Sequence, residues 1–323
     1  MTDIIASPAV KEAVKVVMEQ QERLGDEAAA EAPESQPIRP SVLRAAQLAA
    51  EAEDHARGRQ HVKGKLTARE RLDLLLDTGS FEEIGRFRGG DINGGRAGSA
   101  VITGFGQVYG RKVAVYAQDF SVKGGTLGTA EGEKICRLMD MAIDLKVPIV
   151  AIVDSGGARI QEAVDALAGY GGIFYRNTRA SGVVPQISAI MGPCAGGAVY
   201  SPALTDFIFM VDKTSNMFIT GPQVIKTVTG ENVTAEKLGG AMTHNPTSGV
   251  AHFVYPTEAE TLAAIRKLVG YLPLNNMETA PVVETSDSVN RICDALNSVM
   301  PESSNTPYDM KQVILSVVDD ADF

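Results

Sequence analysis

The sequence predicts an α/β fold in which parallel strands alternate with helices. Two short apolar runs rich in β-branched residues, 148–153 and 185–190, each end at glycine, and the residues after them have a helix-compatible composition. Runs of this length and composition are typical of buried strands. Similar runs occupy 113–118 and 206–211. Strands that are separated by helices predict stacked β/α units around a parallel sheet.

The first forty residues predict a helix and a linker. Residues 8–24 place charges between apolar positions, which favours an amphipathic helix. Residues 26–40 have the Ala, Glu and Pro content of a flexible linker. A long Ala-rich helical pattern follows at 41–58. We therefore expect an N-terminal helical extension, with 1–40 separate from a main domain over 41–274.

A second helix is predicted after Thr67, because Glu70 stands three residues later and completes a capping box. The densest basic cluster of the N-terminal region surrounds this start and consists of Lys63, Lys65, Arg69 and Arg71. Such a cluster is either a solvated helix end or a contact for a phosphate-bearing ligand. For the second reading, Lys65 and Arg69 are the candidate ligands.

The middle of the chain predicts a glycine-rich loop, a hairpin and a third glycine turn. The loop spans 85–98, and residues 100–119 alternate as a hairpin that turns at Tyr109 and Gly110. The third glycine turn, at 123–128, leads into a helix that ends near Leu145. Further helices are predicted at 259–272 and 307–318, on either side of a polar, proline-containing linker at 275–306.

The glycine turns at 154–162 and 191–201 carry the predicted chemistry. A turn from a strand into a helix leaves peptide N–H groups unpaired beside the positive end of the helix dipole. Glycine also lets a ligand approach the backbone closely. Two such turns predict a site that stabilises a developing oxyanion with main-chain donors. The alternative is that they are only tight connections, which is less plausible for three turns in succession.

Other common chemistries are excluded or unsupported. No turn has the G-x-G-x-x-G spacing of a dinucleotide fold or the G-x-S-x-G frame of a serine hydrolase. His244 and His252 lack carboxylates at ligand spacing, so they are read as structural and no metal site is expected. Asp154 is read as a turn-forming residue rather than a base. A general base is therefore missing from the sequence.

Composition limits the partners and the location. The chain has 30 Lys plus Arg against 40 Asp plus Glu, and its net charge of −10 argues against general nucleic-acid binding. It contains no apolar run long enough for a membrane span and no evident signal peptide. The three cysteines, Cys136, Cys194 and Cys293, form no C-x-x-C pair. These features predict a soluble, cytoplasmic protein without disulfides.

Six longer motifs lie at 63–73, 154–162, 180–188, 192–206, 217–222 and 238–244. Together they resemble the carboxyltransferase (β) subunit of biotin-dependent acyl-CoA carboxylases, in particular its propionyl-CoA carboxylase and transcarboxylase branch. The resemblance extends from about residue 43 to the last residue. It implies a crotonase-like ββα superhelix, in which this segment is the carboxyltransferase N-domain that binds the acyl-CoA.

The resemblance also implies roles for the glycine turns. The turn formed by Ala195, Gly196 and Gly197 would donate N–H groups to the thioester oxygen as the enolate forms. The substrate-binding positions would then be Gly156, Gly157 and Ala158, with Gly124 and Gly125 from the third turn and the basic residues Lys65 and Arg69. Biotin on a partner carrier protein would provide the carboxyl group and the base, with a coenzyme A thioester as substrate and no metal.

Partners are implied in the same way. The family's chains have two homologous halves, so 275–323 would be a linker and helix toward an absent C-terminal half. The expected partners are that half, as a separate subunit or as a domain of a longer chain, and a biotin carboxylase or biotin carrier subunit, in a homo- or hetero-oligomer. Two other functions stay open: a decarboxylase of malonyl- or methylmalonyl-thioesters, and a non-catalytic acyl-CoA-binding subunit.

Overall fold

The computed structural model describes residues 39–90 and 97–323. The helix predicted at 8–24, almost all of the linker predicted at 26–40 and six residues of the glycine-rich loop lie outside the described residues. Within these ranges, no helix is both long and apolar enough to cross a membrane.

The described helices and strands follow the predicted order. The helices are α1 (Pro40–His61), α2 (Ala68–Leu75), α3 (Thr129–Leu145), α4 (Ala163–Ala180), α5 (Gly197–Tyr200), α6 (Pro222–Thr229), α7 (Ala235–Gly239), α8 (Ala241–His244), α9 (Glu258–Tyr271), α10 (Leu296–Val299) and α11 (Met310–Val317). The strands are β1 (Glu82–Glu83), β2 (Val101–Val108), β3 (Arg111–Gln118), β4 (Ile149–Ser155), β5 (Gln186–Ala195), β6 (Phe207–Val211), β7 (Asn216–Phe218) and β8 (Phe253–Tyr255).

The eight described strands form one mixed sheet. Their order is β1-β2-β3-β4-β5-β6-β8, and β7 pairs with β5 beyond the end of β6. The first three strands are antiparallel, and every later pair is parallel. The predicted hairpin is the β2–β3 pair, whose turn residues Tyr109 and Gly110 both have positive φ. The predicted α/β class is confirmed.

Helices cover both faces of the sheet because the strands are apolar on both sides. One face packs against α3 and α4 through residues such as Ile135, Leu138 and Ile173. The other packs against α2 and α9 through Leu72 and Ile265. Burying a side chain of this size contributes roughly 1.5–3 kcal/mol. The two-sided cover explains why these strands read as continuous apolar runs rather than alternating ones.

Local signals at two helices are also explained by the structure. The Thr67 hydroxyl accepts the Glu70 N–H at 3.2 Å, and the Thr67 N–H donates to the Glu70 carboxylate at 2.8 Å, which confirms the capping box. Helices α3 and α4 approach closely at Gly132 and Gly169. A Cβ on Gly132 would lie 2.9 Å from the Cα of Gly169, so larger residues would push α4 away from the sheet.

Residues Ala280–Phe323 form a second, smaller unit. It contains α10 and α11, and the Arg291 guanidinium donates to the carbonyl oxygens of Ser316 and Val317 at the end of α11. The helix predicted at 307–318 is therefore present as α11. The segment predicted as a linker contains the short helix α10, and the unit begins five residues after the predicted start at residue 275.

Candidate active site

Three glycine turns meet at the carboxyl ends of β3, β4 and β5. The Gly156 N–H donates to the Gly124 carbonyl at 3.0 Å, which joins the first turn to the third. A Cβ on Gly157 would lie 2.6 Å from the Ala195 carbonyl oxygen, and one on Gly125 would overlap the Asp154 carbonyl oxygen. The structure therefore brings the predicted glycine positions together, and it does so through contacts that only glycine permits.

The first turn uses most of its N–H groups internally. Besides Gly156, the Gly157 N–H is occupied, because it donates to the Ser155 hydroxyl at 3.1 Å. The Ala158 N–H is different: among the described residues it has no acceptor, although both neighbouring peptide groups bond to Leu127. Of the three residues predicted to line the substrate pocket here, Ala158 is the one with an available donor.

The second turn also differs from the prediction. Gly196 has φ 57° and ψ −126°, a conformation that favours glycine, and its N–H donates to the Phe218 carbonyl at 3.2 Å. Gly196 is therefore not an oxyanion donor, which corrects the expectation for that residue. Ala195 ends β5 and faces Gly157 with its carbonyl oxygen.

The available N–H donors of the second turn are those of the two residues after Gly196. Within the part of the chain that the structure describes, the N–H groups of Gly197 and Ala198 have no acceptor. Ala198 is buried, whereas Gly197 is half-buried. Gly197 is thus the accessible donor among the residues predicted as catalytic. Nothing in the sequence distinguishes Gly197 from Gly196, because the acceptor that occupies Gly196 belongs to a strand more than twenty residues away.

Arg159 ties the first turn to the third. Its guanidinium donates to the Thr126 carbonyl and to the Glu131 carboxylate, each at 2.8 Å, and to Glu162 at 2.7 Å. The second Glu162 oxygen accepts the Thr129 N–H at 2.7 Å. This backbone bond and the Arg159 contact lower the pKa of Glu162 to about 2. This clamp of Arg159, Glu131 and Glu162 fixes the turn that carries Ala158. It was not predicted from the sequence, because Arg159 and Glu131 are 28 residues apart.

Glu162→Gln should therefore destabilise the protein in a pH-dependent way. Because the folded-state pKa of Glu162 lies below the ordinary glutamate value of 4.5, the carboxylate stabilises the fold above that pH and loses its effect as pH falls. We expect the melting temperature of the variant to lie below that of the wild type at pH 7. The difference should narrow steadily between about pH 5 and pH 3. A constant difference in thermal melts across this range would contradict the clamp.

Two of the four residues of the predicted basic cluster, Lys65 and Arg71, are buried and paired. The Lys65 ammonium lies 2.5 Å from the Asp154 carboxylate, and Arg71 reaches the same oxygen at 3.0 Å. Arg71 also donates two hydrogen bonds of 2.8 Å to Glu258. Burial lowers the pKa of Lys65, although Asp154 opposes this shift. Lys65 is therefore neither part of a solvated helix end nor an available phosphate contact. Asp154 is an ion-pair partner rather than a turn-forming residue.

Arg69 lies on a cleft instead. It pairs with Glu53 and with Glu83, the latter at 2.9 Å. The cleft has a volume of about 170 Å³ between α1, α2 and β2. Its far wall includes Asp119 and Val122, directly before the third glycine turn. Arg69 therefore lines a cavity that adjoins the turns, which Lys65 does not.

Both histidines have structural partners. The two ring nitrogens of His244 lie 2.8 Å from the Met217 carbonyl oxygen and 3.0 Å from the Ser248 hydroxyl. His252 accepts the Ile208 N–H at 3.0 Å. The structural reading of the histidines agrees with these contacts.

Comparison with known proteins identifies similar chains. A family model described as the carboxyl transferase domain matches residues 59–323. The chain is 58% identical over 271 residues to the methylmalonyl-CoA decarboxylase subunit alpha of Veillonella parvula, covering 82% of this chain and 53% of that protein. It is 53% identical over 274 residues to the mitochondrial propionyl-CoA carboxylase beta chain of Homo sapiens, covering 82% and 50%.

A solved structure agrees in fold. The crystal structure of transcarboxylase 12S with hydrolysed methylmalonyl-coenzyme A bound superposes with a TM-score of 0.82 at 43% identity, covering 89% of this chain and 58% of that one. This match confirms the crotonase-like fold class. The chain spans about half the length of the relatives it matches.

Proposed function

This chain belongs to the carboxyl transferase family, and from that premise we propose that it is the acyl-CoA-binding half of a biotin-dependent carboxyltransferase. The proposed substrate is a short-chain acyl-CoA, with propionyl-CoA as the leading candidate, which is carboxylated through a thioester enolate. The observation that carries this proposal is the pair of unoccupied N–H groups, on Ala158 and Gly197, at two turns that contact each other.

The proposed chemistry follows from these two donors. A thioester oxygen placed between them gains negative charge when the neighbouring carbon loses its proton, and fixed N–H groups stabilise that charge without reorganising. Each such donor lowers the barrier by about 3 kcal/mol. The donors favour the enolate over the neutral thioester, because only the enolate carries the full charge. The effect therefore appears in kcat rather than in thioester affinity.

The segments of the turns that carry the donors supply no base. Residues 155–158 and 195–198 are all glycine, alanine or serine, and none of them is ionisable near neutral pH. This composition fits a reaction in which the base arrives with a second substrate. Biotin on a carrier protein would supply the carboxyl group and accept the proton. The proposed role of this chain is to hold the thioester and to stabilise its enolate.

The cleft beside Arg69 supports the placement of coenzyme A. Because Asp119 and Val122 form one wall, the cleft leads from the third glycine turn toward α1 and α2. A thioester held at the turns could extend its nucleotide part in this direction. Arg69 and Arg86 line the cleft beside Glu53 and Glu83, with which both pair. A coenzyme A phosphate would replace one of these carboxylates, and we propose Arg69, rather than Lys65, as its contact.

Exposed apolar side chains near the turns support a protein partner. Ile160 and Val164 follow the first turn and are 87% and 74% exposed. Ile219 directly follows β7, which pairs with the end of β5, and is 62% exposed. Exposed apolar patches mark interaction sites. We propose that the C-terminal carboxyltransferase half covers these residues and that a biotin carboxylase or biotin carrier subunit completes the enzyme in an oligomer.

A decarboxylase is the second candidate, and the similarity to a methylmalonyl-CoA decarboxylase subunit favours it. Loss of CO₂ from methylmalonyl-CoA produces the same enolate, so the two donors would stabilise either direction. The geometry of the turns does not distinguish the two reactions, but the fate of the carboxyl group does.

The test follows that carboxyl group. The chain, alone and together with a carboxyltransferase C-terminal half, would be incubated with carboxyl-labelled methylmalonyl-CoA in the presence and absence of biotin. We expect label on biotin only when the C-terminal half is present. Release of CO₂ without biotin would support the decarboxylase instead. Binding of propionyl-CoA by calorimetry without either reaction would support the non-catalytic subunit.

A further inference from the structure

Tyr170 lies directly behind the second turn. It is part of α4 and is 4% exposed. Three of its ring carbons lie 2.8, 3.0 and 3.2 Å from the position where a Cβ of Gly197 would be built. Because glycine has no Cβ, the ring packs against the Cα of Gly197. The ring thus supports the residue whose N–H is the proposed donor.

The hydroxyl of the same side chain lies behind the first turn. It is fully enclosed, and no hydrogen-bond partner meets it among the described residues. Ser155 and Gln118 are its polar neighbours, and burial raises the pKa of the phenol above its usual value, so the group stays neutral. The Ser155 hydroxyl accepts the Gly157 N–H at 3.1 Å. A single side chain therefore adjoins both turns.

We propose that Tyr170 is a positioning residue that sets the separation between the N–H groups of Ala158 and Gly197. This inference rests on the proposed function, because it concerns the same donors. The ring has little room to withdraw, since α4 is held against α3 at Gly169 and Gly132. The Phe174 ring also stacks on it with centroids 5.9 Å apart. The ring is the part of the side chain that contacts Gly197, so we assign the positioning to the ring rather than to the hydroxyl.

The test makes the side chain at position 170 smaller and the one at position 197 larger, singly and together. Tyr170→Leu should lower kcat for carboxyl transfer by about 10-fold or more, with KM for methylmalonyl-CoA changed less than about 3-fold, because the turn relaxes by a fraction of an ångström. Gly197→Ala should lower kcat by roughly 100-fold, since the added methyl collides with the ring. The double variant should regain about 10-fold over Gly197→Ala, because the smaller side chain accommodates the methyl.

Two further variants separate positioning from general packing. Tyr170→Phe keeps the ring and should restore most of the activity that Tyr170→Leu loses. Tyr175→Leu alters an exposed tyrosine of the same helix and should leave kcat unchanged. If Tyr170→Leu unfolds at the assay temperature, Tyr170→Met keeps more of the volume without the rigid ring and replaces it in the comparison.

Each outcome decides the inference. It is overturned if folded Tyr170→Leu keeps wild-type kcat, or if the double variant shows only the product of the two single effects. Both results require an active wild-type enzyme, so they would leave the proposed function intact. If the wild-type chain with its C-terminal half neither binds propionyl-CoA nor transfers the carboxyl group, the proposed function fails, and the role of Tyr170 fails with it.

Discussion

Gly157→Ala should reduce carboxyl transfer by on the order of 10³-fold while the protein stays folded, because both of the proposed oxyanion donors depend on this position. Gly157 has φ +99°, which L residues rarely adopt, and its added Cβ would lie 2.6 Å from the Ala195 carbonyl oxygen. Relief of this overlap requires the two turns to separate. Ala158 and Gly197 would then no longer reach one oxygen together. Steady-state kinetics with methylmalonyl-CoA would show the loss mainly in kcat.

A matched glycine provides the control for this substitution. Gly182 also has a positive φ, +71°, but a Cβ there would have nothing within 4 Å. Gly182→Ala should therefore cost about 1 kcal/mol of stability through backbone strain alone and leave kcat unchanged. Equal kinetic losses in the two variants would show that strain, rather than separation of the turns, controls the activity.

The fold class could be predicted from the sequence, and so could the three glycine turns that the structure brings together. The length and apolar composition of their runs identify β4 and β5, because both strands are buried on both faces. The capping box marks the start of α2 through local contacts alone. The glycines mark the turns because each close approach excludes a Cβ. Each of these signals is contained in a short stretch of the sequence, although the contacts that explain the glycines are distant ones, so the signals can be read without the structure.

The choice of donors could not be read in this way. Gly196 and Gly197 are chemically identical in the sequence, and only the pairing of β5 with β7 places the Phe218 carbonyl against the first of them. In the same way, Gly124 occupies the Gly156 N–H from more than thirty residues away. An oxyanion site consists of the N–H groups that the rest of the fold leaves unpaired, and this is a property of tertiary packing.

The prediction that Lys65 of the basic cluster contacts a phosphate is wrong for the same reason. Lys65 and Arg71 resemble surface residues because their neighbours in sequence are polar, but their partner Asp154 follows 89 and 83 residues later, and Glu258 follows Arg71 by 187. Gly192 makes room for this group, since a Cβ there would overlap both the Asp154 carboxylate and the Lys65 ammonium. The buried charges hold α2 and α9 to the end of β4, directly behind the first turn.

Arg71→Met should lower the free energy of unfolding by about 3–5 kcal/mol, because it leaves buried carboxylates without their main partner. Arg71 is fully buried, and its removal deprives Glu258 of two hydrogen bonds and Asp154 of one of its two cations. Urea unfolding would measure the change. Arg88→Met is the control, because its ion pair with Glu133 joins side chains that are 52% and 53% exposed. Exposed pairs contribute about 0–1 kcal/mol, so a loss in Arg71→Met no larger than in Arg88→Met would show that the buried charges do not secure α2 and α9 to β4.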